Sequence, residues 1–246
     1  MAVLGASSPI EFFKNMCRIF GRLLTSDRDG ADPIGSVVLR AYETFEVQFA
    51  CEAAQEIKAA CHSGCASCCT IRVTATAPEI LNIAREIRRF PDFVSPDLTQ
   101  RVLASSRATR LLSQQQRMAS GLFCPLIENN FCLIYPARPL ACRSHVSFDE
   151  QACRYALNGG LSEVPVSAFH LKVRSLVQNA MQSALRDANL AWGSYELNHA
   201  LRIALSDETC EKAWIAGVDV FAPALITDVS LEEMADTFDA IKAMAG

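Results

Sequence analysis

Cysteine spacing is the feature that most constrains this chain. Eight of its 11 cysteines fall in two blocks, separated by residues 70–123: Cys61, Cys65, Cys68 and Cys69, then Cys124, Cys132, Cys142 and Cys153. No export signal is visible, because Glu11, Lys14 and Arg18 interrupt the apolar run near the N-terminus. We therefore expect a cytoplasmic protein of bacterial type, whose reduced thiols hold a metal or an iron-sulfur cluster rather than form disulfides.

The bulk composition excludes several classes of protein. A chain of 246 residues can bury a sizeable core, so a metal would organise one region and not the whole fold. With 23 basic and 27 acidic side chains, the chain does not have the charge of a nucleic-acid-binding protein. The best apolar run, residues 218–226, contains Asp219 and is too short for a membrane span. We expect neither a nucleic-acid partner nor a membrane.

Apolar residues three and four positions apart predict helices on both sides of the cysteine blocks. Ser8 with Pro9, and Ser230 with Glu233, are residue types typical of helix N-termini. A short extended piece is expected at 70–76, and the second helix should lead directly into Cys61. The expected helices are 9–24, about 37–60, 78–89, 96–119, 166–190, 195–205, 207–216 and 231–245.

Prolines and a pair of asparagines predict loops in the second block. Pro125, Pro136 and Pro139 exclude a continuous helix, and Asn129-Asn130 favours a tight turn in a short hairpin. Prolines near Arg138 stiffen the loop between Cys132 and Cys142, so these two thiols can be held at a fixed separation.

The predicted fold class is mainly α, with a helical domain that encloses a cysteine-rich metal-binding core with short hairpin or knuckle loops. We expect an N-terminal helical segment at 1–60, a cysteine-cluster metal-binding domain at 61–153 and a C-terminal helical region at 154–246. The three parts should pack as one compact unit.

The identity of the metal is left open by the cysteines alone. Eight thiolates can form two zinc sites, or one four-cysteine iron-sulfur cluster with the others structural or on a second metal. Four cysteines within residues 61–69 are more typical of iron-sulfur proteins, which slightly favours a cluster over Zn²⁺. Adjacent Cys68 and Cys69 are hard to aim at one ion. One of them either serves a second metal or is a core or redox thiol.

Charged residues and histidines near the blocks have two interpretations each. Arg138 and Arg143 either offset the negative charge of a thiolate-bound metal or hold a substrate carboxylate, or they tie the loop to a neighbouring acid. His145 is a replacement ligand or a proton carrier, and His62 lies inside the first block, although eight cysteines require neither histidine as a ligand. No motif assigns a catalytic residue. The remaining cysteines lie in helical patterns and are predicted to be small buried hydrophobic residues: Cys17, Cys51 and Cys210.

The two blocks together resemble the YkgJ-like cysteine-cluster proteins, which are labelled zinc- or iron-chelating. Their pattern is a CxxxCxxCC block, a later cysteine, a C-x-I-Y-x-x-R-P-x-x-C-R element and a further cysteine. The matching element here is Cys132-Leu133-Ile134-Tyr135, then Arg138-Pro139 and Cys142-Arg143. The resemblance covers about 61–153, and it implies that all eight cysteines are metal ligands.

Two enzymatic alternatives accompany the hypothesis of a structural, storage or redox metal site. The spacing of Cys61, Cys65 and Cys68 copies that of radical SAM enzymes, but those enzymes need a β/α barrel and this sequence has almost no strand signal. Flagellin lysine methylases have a similar cysteine block. That resemblance implies SAM-dependent methylation of a protein substrate as the main enzymatic alternative.

Overall fold

The computed structural model describes residues 8–26, 32–52, 59–89, 97–160 and 163–244. Short two-residue strands connect the helices: β1 (Thr74–Ala75), β2 (Ile127–Glu128), β3 (Phe131–Cys132) and β4 (Tyr195–Glu196). Short 3-10 helices lie at Tyr135–Ala137 and Ala222–Ala224. The α-helices are α1 (Pro9–Ser26), α2 (Pro33–Glu52), α3 (Ala77–Arg89), α4 (Leu98–Thr109), α5 (Gln114–Ala119), α6 (Leu140–Ser144), α7 (Glu150–Leu157), α8 (Ala168–Asp187), α9 (Leu197–Ser206), α10 (Cys210–Ile215) and α11 (Leu231–Ala243).

The prediction of a mainly helical fold is confirmed, whereas its metal-binding core stays a prediction. Helix α8 packs against α1, α2, α6 and α11, and α9 packs against α3, α4 and α10. One hydrophobic core joins these helices, with Phe20, Ile80, Val177 and Leu201 among its fully buried members. The predicted division at 60 and 153 remains a prediction. No helix within the described ranges is long and apolar enough to cross a membrane.

Local signals at helix ends account for several of the predicted boundaries. Glu11 N donates to Ser8 Oγ (3.2 Å) and Ser8 N donates to Glu11 Oε2 (2.8 Å), which starts α1 as predicted. Ser230 and Glu233 form the expected capping box of α11. Each box satisfies backbone N–H groups that the first helical turn leaves unpaired.

The predicted helix at 96–119 is wrong as a single element. Its described part is split into α4 and α5, because Ser113 and Gln116 form a capping box that begins a new helix. The predicted beginning at residues 95–96 lies outside the described residues. Helix α7, at 150–157, was not predicted, although Asp149 caps it by accepting a hydrogen bond from Ala152 N (2.9 Å).

The second helix does not lead directly into Cys61. Ala59 and Ala60 are not helical, and residues 53–58 lie outside the described ranges. Ala60 N instead donates to Ser147 O (2.9 Å), so the chain enters the first cysteine block from a contact with the segment that precedes α7.

A buried carboxylate joins the helical core to the second cysteine block. Glu79, in the first turn of α3, is 1% exposed. Its Oε2 accepts from the N and Oγ1 of Thr76 (both 2.9 Å), and its Oε1 accepts from Leu140 N (2.7 Å). Glu79 therefore fixes the beginning of both α3 and α6, and α6 contains Cys142.

Replacing Glu79 should destabilise the protein. Glu79→Ala leaves the buried N–H groups of Thr76 and Leu140 without their acceptor, and we expect the free energy of unfolding to fall by about 3 kcal/mol. Urea unfolding followed by circular dichroism measures the change. The exposed Glu208→Ala serves as the control and should alter the same quantity by less than about 0.5 kcal/mol. Equal effects of the two substitutions would contradict the role given to Glu79.

Candidate metal centre

The first cysteine block is a succession of tight turns. Cys65 N donates to His62 O (3.1 Å), and Gly64, with a φ of +81°, occupies the third position of that turn. A positive φ at this position is what a type II turn requires, and glycine adopts it without strain. Cys69 N then donates to Ala66 O (2.9 Å) to close a second turn. Turns of this kind place several thiols on one short segment.

Hydrogen bonds hold the first block at both of its ends. At its beginning, Ser147 N donates to Cys61 Sγ (3.5 Å). At its end, Cys124 N donates to Cys69 O (2.7 Å). Backbone N–H groups directed at sulfur are typical of thiolate sites, because they stabilise the negative charge on sulfur.

The second block is the predicted hairpin followed by a proline-rich turn. Asn129 and Asn130 have φ angles of 50° and 67°, the left-handed values of a two-residue turn between β2 and β3. Cys132 lies on β3, opposite Ile127. The 3-10 helix at 135–137 follows, and Cys142 lies in the middle of α6.

Seven of the eight predicted ligands line one cavity of about 370 Å³. Cys153, on α7, is not part of its wall, although its thiol influences that of Cys61. In the ranges that the structure describes, no three cysteine, histidine, aspartate or glutamate side chains are already arranged to hold a metal ion. The thiols therefore line one cavity, but they do not converge on one point. Its cysteines are Cys61, Cys65, Cys68, Cys69, Cys124, Cys132 and Cys142.

The protein environment raises the pKa of most of these thiols. Burial, together with a smaller effect of neighbouring thiols, raises the pKa of Cys142 well above its ordinary value and that of Cys124 to about 12. A hydrogen bond between Cys68 and Cys69 lowers the pKa of Cys68 to about 7 and raises that of Cys69. A metal ion would have to displace protons from most of these thiols, because the thiolate is the ligand form.

Arg143 is occupied in holding the loop. Its Nε donates to Arg138 O (2.8 Å), its Nη1 donates to Glu46 Oε1 (2.7 Å) and its Nη2 donates to Pro136 O. Its guanidinium also lies 4.0 Å from the centre of the Tyr42 ring. These contacts tie the proline-rich turn to α2. A direct role of Arg143 in binding a cofactor stays a prediction.

Arg138 is directed towards the cavity. It stacks on the ring of Tyr135 at 3.7 Å, and its buried Nε has no hydrogen-bond partner among the described residues. Burial raises the pKa values of the Cys132 and Cys142 thiols, and the charge of Arg138 opposes that rise. A thiolate-bound metal, which is anionic, would give this cation a partner.

Two further arginines near the cysteines were not predicted. Arg117, on α5, is 1% exposed and donates to Leu122 O, and Cys124 is among the groups that favour its charge. Arg174, on α8, donates to Thr74 Oγ1 (3.2 Å), and Cys142 similarly favours its charge. Neither arginine is part of the cysteine motif, so cysteine spacing could not reveal them.

The histidines differ in their surroundings. His62 is exposed, and its Nε2 lies 3.6 Å from Oε1 of Glu150. His145 lines the cavity, and burial lowers its pKa, which favours the neutral form that binds metals. His170 also lines the cavity, and its Nδ1 is hydrogen-bonded to Ser167 Oγ.

The two cysteines outside the blocks that the structure describes in full are both remote from the cavity wall. Cys210 is buried, as predicted, whereas Cys17 is half-buried on α1. Both are free thiols, as are all eight block cysteines. The side chain of Cys51 lies outside the described residues.

Comparison with known proteins agrees with this geometry. Residues 60–156 match a family model described as "CxxCxxCC: Putative zinc- or iron-chelating domain". The match confirms the resemblance to a cysteine-cluster family over this segment, and metal chelation is the function that it suggests. Between Cys61 and Cys65 this chain has three residues rather than the two in the family's name, and the turn at Gly64 accommodates them. No curated protein and no solved structure matches the chain.

The two loop arginines should differ in their effect on stability. Arg143→Ala removes the contacts to Glu46, Tyr42 and two carbonyl groups, and we expect the free energy of unfolding to fall by about 2 kcal/mol. Arg138→Ala is the matched control, since it lacks these contacts and should cost less than about 1 kcal/mol. Urea unfolding of chelator-treated protein measures both. A larger loss in Arg138→Ala would contradict the contrast.

Proposed function

We propose that this chain is a metal-binding protein that holds zinc or iron through the cysteines of its two blocks, with an iron-sulfur cluster as the preferred occupant. One observation carries the proposal: seven of the eight cysteines, from segments far apart in the chain, line a single cavity of about 370 Å³. The family match suggests zinc or iron chelation for the same segment. The chemistry of the donors fits either metal.

The size of the cavity favours a cluster over a single ion. In a mononuclear zinc site the ligands lie about 2.0–2.3 Å from the ion and leave no space between them. A cavity of about 370 Å³ is much larger than the space that a single ion occupies between its ligands. The thiols that line it are therefore spread around a larger group, such as a cluster of several metal ions bridged by sulfide.

The origin of the ligands supports a structural role, with redox chemistry available to a cluster. The seven cysteines of the cavity lie on turns and loops, on a hairpin of two-residue strands and on the short helix α6, which have few regular backbone hydrogen bonds of their own. A metal that binds thiols from these segments would cross-link them. Storage is the remaining variant of this hypothesis, and rapid exchange of the bound metal would distinguish it.

No specific observation favours the enzymatic alternative. Each strand in the described ranges has two residues, which is not the strand length of the β/α barrel that radical SAM enzymes use. SAM-dependent methylation of a protein substrate therefore remains an alternative that rests on resemblance alone. Titration of the anaerobic protein with S-adenosylmethionine tests it by a binding signal.

Anaerobic purification should yield a coloured protein. We expect broad charge-transfer absorbance together with iron and acid-labile sulfide, because a thiolate-bound cluster absorbs visible light and a zinc site does not. Absorbance spectroscopy and elemental analysis measure this. A colourless protein that contains zinc and no iron would replace the cluster with zinc. A protein that contains neither metal, even after anaerobic reconstitution, would overturn the proposed function.

Cysteine substitutions should release metal only within the two blocks. Cys65→Ser and Cys142→Ser each remove a thiolate ligand, and we expect each variant to retain about half or less of the wild-type metal, since a serine hydroxyl is not ionised at neutral pH. Elemental analysis per folded chain measures the loss. Cys17→Ser, remote from the cavity, is the matched control and should retain full occupancy. Full retention in both block variants would refute the ligand assignment.

A further inference from the structure

The first cysteine block lies between two different parts of the chain. Its beginning is bonded to Ser147, since Cys61 Sγ accepts from Ser147 N and Ala60 N donates to Ser147 O (2.9 Å). Ser147 in turn accepts through its Oγ from Asp149 N (3.1 Å), and Asp149 caps α7. Cys61 is therefore held beside the helix that contains Cys153.

The end of the same block is bonded to the hairpin. Cys124 N donates to Cys69 O (2.7 Å), and Leu133 N donates to Leu126 O (2.9 Å) next to Cys132. Cys69 is therefore held beside the strands of the second block. Between these two anchors the backbone turns at Ala66–Cys69, and it places the adjacent Cys68 and Cys69 on the boundary between the two environments.

The effects of the thiols on one another's pKa values also separate the side of Cys61 from the side of Cys69. Burial raises the pKa of Cys61, and the thiols of Cys68, Cys65 and Cys153 add to that rise. The pKa of Cys69 is raised most by the hydrogen bond with Cys68 and next by burial. Among the thiols farther along the chain, Cys124 and Cys142 add to that rise. Cys68 also lies near Cys142, as expected of a residue on the boundary.

We propose that the eight cysteines form two neighbouring four-cysteine centres, each of which binds one zinc ion or one iron-sulfur cluster. This inference rests on the proposed function. The outer set is Cys61, Cys65, Cys68 and Cys153, and the inner set is Cys69, Cys124, Cys132 and Cys142. Adjacent Cys68 and Cys69 thus serve different centres, which removes the difficulty of aiming both thiols at one ion.

The arginines lie around the inner set. Arg117 is near Cys124, and Arg174 is near Cys142. Arg138 is near Cys132 and Cys142, and it also acts on Cys68 of the outer set. A divalent metal with four thiolate ligands carries a net negative charge, and buried cations offset that charge. For Cys61, in contrast, the charged groups that act on its thiol are other cysteines. The negative charge of the inner centre is therefore more strongly compensated than that of the outer centre.

The sharpest test compares Cys68→Ser with Cys69→Ser, which differ by one position in the chain. Each variant is purified anaerobically and treated with iodoacetamide, and the alkylation rate of each remaining cysteine is measured by peptide mass spectrometry. Chelator-treated wild-type protein gives the rate of each thiol without metal. Metal per chain is measured on the same samples, and circular dichroism confirms the helical content.

We expect the two variants to expose different thiols. In Cys68→Ser, Cys61, Cys65 and Cys153 should react at least about tenfold faster than in the untreated wild type, the lower end of the loss in affinity caused by perturbing a metal site. The thiols Cys124, Cys132 and Cys142 should stay protected. Cys69→Ser should give the reverse pattern, and each variant should keep part of its metal.

Exposure of the same thiols in both variants, with all metal lost, would overturn the two centres in favour of one composite site. If either variant fails to fold, Cys65→Ser and Cys142→Ser replace the pair and must show the same division. A wild-type protein that binds no metal would instead overturn the proposed function. The two failures are therefore distinguishable.

Discussion

The hydrogen bonds of Glu79 are the interaction on which the arrangement around the cavity depends. One buried carboxylate binds the N-terminus of α3 through Thr76 and the N-terminus of α6 through Leu140. Helix α3 belongs to the hydrophobic core, and α6 contains Cys142. Because a buried carboxylate tolerates no loss of its donors, the core and the second cysteine block are held in one fixed relation.

Two kinds of interaction hold the parts of the molecule that Glu79 connects. The helices pack through apolar side chains and need no metal to bury them. The cysteine segments are turns and short pieces, and they are held by specific polar contacts such as Arg143 with Glu46 and Ser147 with Cys61. The polar contacts bring the thiols to one cavity, and a metal would provide the cross-link that the short segments lack.

Sequence reasoning predicts the parts of this arrangement that depend on local signals. Apolar periodicity and the Ser230–Glu233 box locate α11, and the Asn129-Asn130 pair locates the hairpin. The break before Ser113 was missed because no proline or glycine marks it, and only the Ser113–Gln116 capping box begins the new helix. Glu79 and Arg117 could not be assigned at all. The role of Glu79 depends on a partner that only the packed chain brings near, since Leu140 lies 61 positions away. Arg117 has local partners, Ser120 and Leu122, but no motif indicates that its side chain is buried near Cys124.

The wide separation of these partners also has a consequence for biosynthesis. Residues 61–69 leave the ribosome well before residues 124–153. Glu79, the acceptor of Leu140 N, has likewise been synthesised before α6. A cavity lined from such distant segments forms only after they have all been synthesised, because non-local contacts form late in folding. The proposed metal would therefore be inserted only after both cysteine blocks have been synthesised, and until then the first four thiols would depend on the reducing power of their surroundings.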